Sequence, residues 1–330
     1  MMLKLQKPSK ALQEEYAQKL LPTLIKRIKN GASFHETHHV LSNAAKKVLL
    51  PDCDVTRPQN TNRLKELLTK EPAELLVLER KIMNEMNQIA NRTERPTDEQ
   101  LKAIIGYENV FNSSSKSIAF WLAKKVGRNT CVYCNRQYVF TVEKGDGNVA
   151  NERITRPVFD HWFPKASHPL LSLSLFNLIP SCSICNSSVK GCADFSLETH
   201  IHPYVHENNH PQFTFKVTAA PKTELIWGVR LEAEPGSKEE KTIKDLCLNE
   251  IYTMHGALEV NDLMEFKQKY PAGYLKQLMQ DVLDKVGEGH NITLEDVYRM
   301  IFGVELKKEK FLDRPLSKMK YDILHDMGVI

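Results

Sequence analysis

Residues Phe159–Gly191 read FDHWFPKASHPLLSLSLFNLIPSCSICNSSVKG, and the rest of the chain is organised around them. An aspartate precedes a histidine (Asp160, His161), an asparagine stands mid-segment (Asn177), and a second asparagine (Asn186) directly follows the C-x-x-C pair Cys182 and Cys185. Another such pair, Cys131 and Cys134, lies upstream. Each C-x-x-C turn can aim two thiolates at one ion. Two turns supply the four sulfurs of a tetrahedral structural zinc site, with Zn–S near ~2.3 Å. Thioredoxin-like redox use fits less well, because there are two pairs and no βαβ setting. Four unlinked buried cysteines remain the alternative, against which the paired spacing argues.

The surrounding chain sets the context for that chemistry. Its 330 residues can form one large or a few small packed units, and 42% hydrophobic with 26% charged residues is ordinary for a globular protein. No apolar run is long enough for a transmembrane helix, and the N-terminus lacks the apolar core of a signal peptide. A cytoplasmic protein without a membrane partner is expected. There the cysteine pairs favour metal over disulfides. Net charge is +4 but unevenly spread: residues 1–50 hold nine Lys/Arg against three Asp/Glu, and residues 121–200 hold nine against six. Such clusters suit a nucleic-acid-facing surface or, more commonly, solvated helix faces.

Both flanks read as helical. Leu12, Tyr16, Leu20, Leu24 and Ile28 have helical spacing over 9–29, and Pro22 predicts a kink or a break there. A helix over roughly 60–70 precedes Pro72, which suits the first turn of the next. Thr97 with Gln100, and Thr293 with Asp296, form capping signatures. Phe34–His39 is turn-like, and Asn112–Ser115 reads as a polar hinge. Arg136–Val142 and Ile154–Phe159 have strand composition around a turn signal at Lys144–Asn148. Leu170–Leu175 is apolar and serine-interleaved, and a short helix is expected from Ser181 onward. Phe213, Phe215 and Val217 alternate with polar neighbours and should pair with Leu225–Leu231. The expected class is α+β and mainly helical, divided into a helical region 1–115, a core 116–206, and a hairpin with helices over 207–330.

The ordered set Cys131/Cys134, Asp160-His161-Trp162-Phe163-Pro164-Lys165, Asn177-Leu178, Cys182/Cys185-Asn186 and Lys190 resembles the HNH endonuclease motif, the ββα-metal fold. The resemblance covers about sixty residues and leaves the flanks unexplained. It implies a metal-dependent DNA endonuclease whose zinc-stabilised core carries His161 as general base. A neutral imidazole of pKa near ~6.5 suits that role. Asp160 and Asn186 would hold a catalytic Mg²⁺ or Mn²⁺ through oxygen. Asn177 would pin the loop that aims His161, and Lys165 and Lys190 would meet phosphate. The final motif position, often histidine, is Asn186 here and keeps an oxygen ligand.

The resemblance extends to bacterial restriction and anti-phage defence proteins, including those paired with an ATPase; this chain has no P-loop of its own. Two other functions stay open: a zinc-stabilised nucleic-acid-binding module without catalysis, and an RNA-cleaving HNH nuclease. His200, His202 and His206 could line a groove or bind a second metal, but fold support is the plainer reading. His168 reads as a loop residue and the His38–His39 pair as solvated. Cys53, Cys192 and Cys247 lack sequence partners, with Cys192 near enough to be an alternative ligand. Tyr133, Tyr138, Trp162 and Phe163 would pack around the zinc or stack on bases.

Overall fold

A computed structural model describes residues 3–51, 61–111, 118–145, 153–191, 193–205, 212–219, 227–270, 273–278, 280 and 293–330. The N-terminal part is helical: α1 (Lys10–Asn30), a β1–β2 hairpin (Ala32–Phe34, Thr37–His39), α2 (Asn43–Leu49), α3 (Asn62–Thr69), α4 (Pro72–Asn87), α5 (Asp98–Ile105), α6 (Tyr107–Phe111) and α7 (Ile118–Val126). Ser9 caps α1, its side chain accepting from the Leu12 N–H, and Tyr16, Leu20, Leu24 and Ile28 form the buried stripe. Pro22 does not break the helix. It faces solvent, as does Gln18, whose carbonyl loses its partner, so water can replace the missing bond. The turn-like 34–39 segment is the β1–β2 hairpin, with His35 and Glu36 left-handed at its tip (φ 46° and 64°).

Local signals placed α5 well. Thr97 and Gln100 make a reciprocal capping box, and the helix ends at Gly106 (φ 60°). Arg27 of α1 donates to the carbonyls of Ile104 and Ala103, capping the other end of α5. A Cβ on Gly106 would collide with that guanidinium, so glycine is required there on two counts.

The middle of the chain holds short strands: β3 (Val142–Glu143) with β4 (Arg153–Thr155), and β5 (Val158–His161) with β6 (Leu178–Ser181), each pair antiparallel. Arg136–Val142 does not form the expected strand. Cys131 N–H donates to Gln137 O and Val139 N–H to Asn129 O, so the segment's polar groups are satisfied by folding back on the first cysteine turn. Leu170–Leu175 is broken into two 3₁₀ turns, Pro169–Leu171 and Leu175–Asn177. The short helix expected from Ser181 onward is present and is of π type over Cys185–Lys190. The Asn112–Ser115 hinge and the tip of the Lys144–Asn148 turn lie outside the described residues.

Beyond residue 212, β7 (Phe213–Ala219) and β8 (Trp227–Ala233) pair in register from Phe213↔Ala233 to Ala219↔Trp227. Then come α8 (Lys238–Asp245), α9 (Leu248–His255), α10 (Asn261–Lys269), α11 (Tyr274–Leu278), α12 (Leu294–Phe302) and α13 (Ser317–Asp326). The architecture is α+β and mainly helical. No helix among the described residues is long and apolar enough to cross a membrane.

The three sequence regions share one hydrophobic core. Tyr16 of α1 donates to Leu173 O at 2.7 Å, and Ser174 to Leu67 O at 2.5 Å. Thr130 and Asn135 take carbonyls of Leu312, Phe311 and Arg314 from near the C-terminus. Helices α1 and α3 therefore hold the loop between β5 and β6, and the 311–314 segment near the C-terminus holds the first cysteine turn.

Candidate active site and metal centre

The sulfurs form the better-defined half of the site. Cys131, Cys134, Cys182 and Cys185 are buried, and their Sγ atoms all lie within 4.8 Å of one another. A tetrahedral zinc with bonds of ~2.3 Å needs S···S separations of roughly 3.8 Å, so the four fit that ion with small adjustments. The Cys185 N–H donates to Cys182 Sγ at 3.4 Å, supporting negative charge on that sulfur. Burial pushes the Cys131 thiol well up, while S–H donation, chiefly from Cys131, holds Cys134 far down. The four sulfurs thus share protons among themselves, and a cation bound there would displace those protons. Val132 N–H to Pro180 O (3.3 Å) ties the first cysteine turn to β6, and Leu3 N–H to Val132 O (3.0 Å) ties it to the N-terminus. Tyr252 donates to Cys134 O from α9.

The other half lies on β5, where Asp160 faces Ile179 and His161 faces Leu178 across the hairpin. The His161 Nε2 stands 2.9 Å from Ser172 O. A carbonyl can only accept, so Nε2 carries the proton and Nδ1 keeps a lone pair. The Tyr107 ring meets the imidazole edge-on at 4.4 Å. Burial is the main cause that pushes the imidazole pKa down to about 4, so the ring is neutral at physiological pH.

Asn177 ties down the loop between the strands. Its Oδ1 accepts from Phe163 N–H at 2.6 Å, and its Nδ2 donates to Phe163 O (3.1 Å) and Leu171 O (3.0 Å). Leu171 adjoins Ser172, so this amide fixes the carbonyl that orients His161. Asn177 is fully buried and its amide is used at both ends.

Asp160 is 3% exposed. Its Oδ2 accepts from Tyr133 Oη at 2.5 Å and lies 3.2 Å from Lys190 Nζ. Desolvation raises its pKa, opposed by the Lys190 charge and the Tyr133 hydrogen bond. Lys190 also donates to His161 O at 2.8 Å, and its ammonium sits 5.2 Å from the Phe195 ring. The expectation that Lys190 meets phosphate directly needs correction. Its side chain is 1% exposed and points inward to the buried Asp160 carboxylate. Lys165 does reach the surface, ion-paired with Glu108 at 2.7 Å.

Asn186 is half-buried on the π-turn, and its Nδ2 is 3.4 Å from Ser187 Oγ, which leaves Oδ1 as the atom able to ligate. Asp160 and Asn186 carry oxygen atoms of the kind a hard dication takes, whereas the group of side chains gathered closely enough to hold an ion, among the described residues, is the four cysteines. The ammonium beside Asp160 would have to share its carboxylate with a hard dication.

Sequence reading missed Tyr133 as a partner of Asp160, although its place inside C-V-Y-C was visible. Nothing local pointed to Tyr107 or Ser172. Trp162 and Phe163 are buried, and Tyr138 is exposed beside Phe140. His200 is buried, stacked on Phe195 and 3.0 Å from Asp245, and His202 packs on Trp162. His168 leaves its loop to pair with Glu79 of α4 at 2.6 Å. His38 stands 3.2 Å from Asn30 O, and Cys247 is exposed. His206, Cys53 and Cys192 lie outside the described residues. Comparison of the chain with protein-family models, curated proteins and solved structures gave no match.

Proposed function

We propose that the chain is a metal-dependent endonuclease of the HNH type that hydrolyses DNA phosphodiester bonds, its hairpin held by structural zinc. The observation that carries this reading is the end of β5. There a neutral imidazole is fixed through Nε2 and keeps its Nδ1 lone pair, beside a carboxylate and on a hairpin closed by four sulfurs. His161 Nδ1 would take the proton of the attacking water as oxygen bonds to phosphorus and the 3′ oxygen leaves. The Ser172 carbonyl holds the ring's angle and remains a partner for the resulting imidazolium. An incoming phosphodiester is anionic and raises the imidazole pKa from its low value in the free protein. Asp160 and Asn186 would hold the dication, which when bound neutralises charge on the scissile phosphate and the leaving oxygen. Lys165 offers a surface cation to a flanking phosphate. A role in restriction or anti-phage defence beside an ATPase rests on the motif resemblance alone.

One observation favours a second reading, a zinc-held nucleic-acid-binding module without catalysis. Asp160 is already compensated by a buried ammonium, which weakens its hold on a dication. The two readings separate on a panel of supercoiled plasmid and single-stranded RNA, each with Mg²⁺ or Mn²⁺. The nuclease reading expects nicked plasmid from the wild type and none from His161→Ala. Equal inactivity of both proteins, with DNA still retained in a gel shift, supports the binding module. Cleavage of RNA alone would change the substrate.

A further inference from the structure

Next to His161 lies a cavity of about 230 Å³ that its catalytic role does not use. Two residues that touch the imidazole also line this space: Ser172, whose carbonyl accepts from Nε2, and Tyr107, whose ring meets it edge-on. Three larger cavities among the described residues are lined mainly from β7, β8, α8, α9 and α13 and share no residue with it. Phe34 of the β1–β2 hairpin forms one wall and is half-buried, and Pro169 adds apolar surface. Lys102 and Lys165 bring positive charge, and Asn109 is an exposed amide. Glu108 holds the Lys165 ammonium, which stands 5.4 Å from the Tyr107 ring centroid.

The chemistry of that lining selects its guest. Apolar and aromatic walls favour a flat ring, an amide can read a polar ring edge, and with Glu108 also in the lining and paired to Lys165, the two lysines leave one net positive charge for an anion attached to it. At about 30 Å³ per water, the space equals roughly eight waters, enough for one ring system and far too little for a duplex. A paired base cannot enter, whereas an unstacked one can. We propose that this cavity seats one unpaired nucleobase of a DNA strand against Phe34, with Lys165 on the adjoining phosphate. The proposal rests on the phosphodiesterase reading of His161 and deepens it: the substrate is single-stranded or locally unpaired DNA.

The test reads binding, so it does not depend on turnover. Fluorescence anisotropy, without added divalent cation, measures the full chain on a labelled single strand. Two controls are the same strand as a duplex and an equally long strand of abasic sugar-phosphates. Stacking on one aromatic side chain corresponds to about 5- to 100-fold in affinity. Phe34→Ala should weaken the base-bearing strand by that factor and leave the abasic strand unchanged, and Phe34→Trp should restore it. The wild type should prefer the single strand to the duplex. A Phe34→Ala effect that is absent, or equal on both strands, overturns the base subsite while the nuclease reading stands. No binding to any of the three nucleic acids removes both.

Discussion

The two ends of the β5–β6 hairpin are built in opposite ways. Beyond Ser181, four buried sulfurs converge within 4.8 Å of one another, an arrangement that could hold a metal ion such as zinc. At Asp160, the π segment after the hairpin brings a cation: the Lys190 ammonium lies 3.2 Å from the carboxylate, and Tyr133 donates to the same oxygen. One end offers a site to a cation from outside the chain, and the other is neutralised by a cation of the chain itself. Tyr133 joins them, since it stands between Cys131 and Cys134 and ends on Asp160. A distortion of the sulfur cluster should therefore reach the carboxylate through one side chain.

The largest expected effect is at the sulfur end. Structural zinc contributes on the order of 10 kcal/mol to folding, so Cys131→Ser should lose zinc, measured by mass spectrometry, together with the cooperative melting of the central region. A variant that melts like the wild type would erase the contrast between the two ends. Next comes Lys190→Ala. Leaving the Asp160 carboxylate buried without its cation should cost about 3–5 kcal/mol in urea unfolding, and Asp160→Asn in the same chain should recover much of that. If Lys190→Ala keeps wild-type stability and instead lowers the salt dependence of DNA binding, the lysine is a phosphate contact after all.

Tyr133→Phe removes one hydrogen bond to a charged group and no volume, so roughly 1.5–3 kcal/mol is expected at unchanged zinc content. Loss of zinc with this variant would show that the phenol supports the cysteine turn itself. The smallest effect lies outside both ends, at His168 and Glu79. The hydrogen bond to Glu79 raises the His168 pKa above its ordinary value of ~6.5. The pair's contribution is therefore full below that ordinary value and is lost as pH rises through the raised one. With His168 partly exposed, about 1 kcal/mol or less is expected. His168→Gln should destabilise at pH 6 and converge with the wild type in mildly alkaline buffer.

What the sequence made legible was local. Two residues three apart produced the Thr97–Gln100 and Thr293–Asp296 caps, both present in the fold. The C-x-x-C spacing was enough to join four cysteines separated by half a hundred residues. Lys190 was misread for a physical reason: a lysine near the end of a polar turn is normally solvated, and only the tertiary approach of Asp160 gives it a buried partner. The Arg136–Val142 segment has strand composition, but the cysteine turn supplies its hydrogen bonds. Tyr16 meeting Leu173 across 157 positions had no signature in either segment. Tyr107, which borders both His161 and the neighbouring cavity, was equally unreadable, because its role exists only once α6 packs on the hairpin.

The most direct measurement of the central claim is the single-turnover cleavage rate of a labelled DNA strand in Mn²⁺, for the wild type and His161→Ala at matched zinc content. A positioned general base contributes about 10²- to 10⁴-fold, and the wild type should be faster by at least the lower figure. Equal rates, or no cleavage by either protein, would contradict the assignment of His161 as the base.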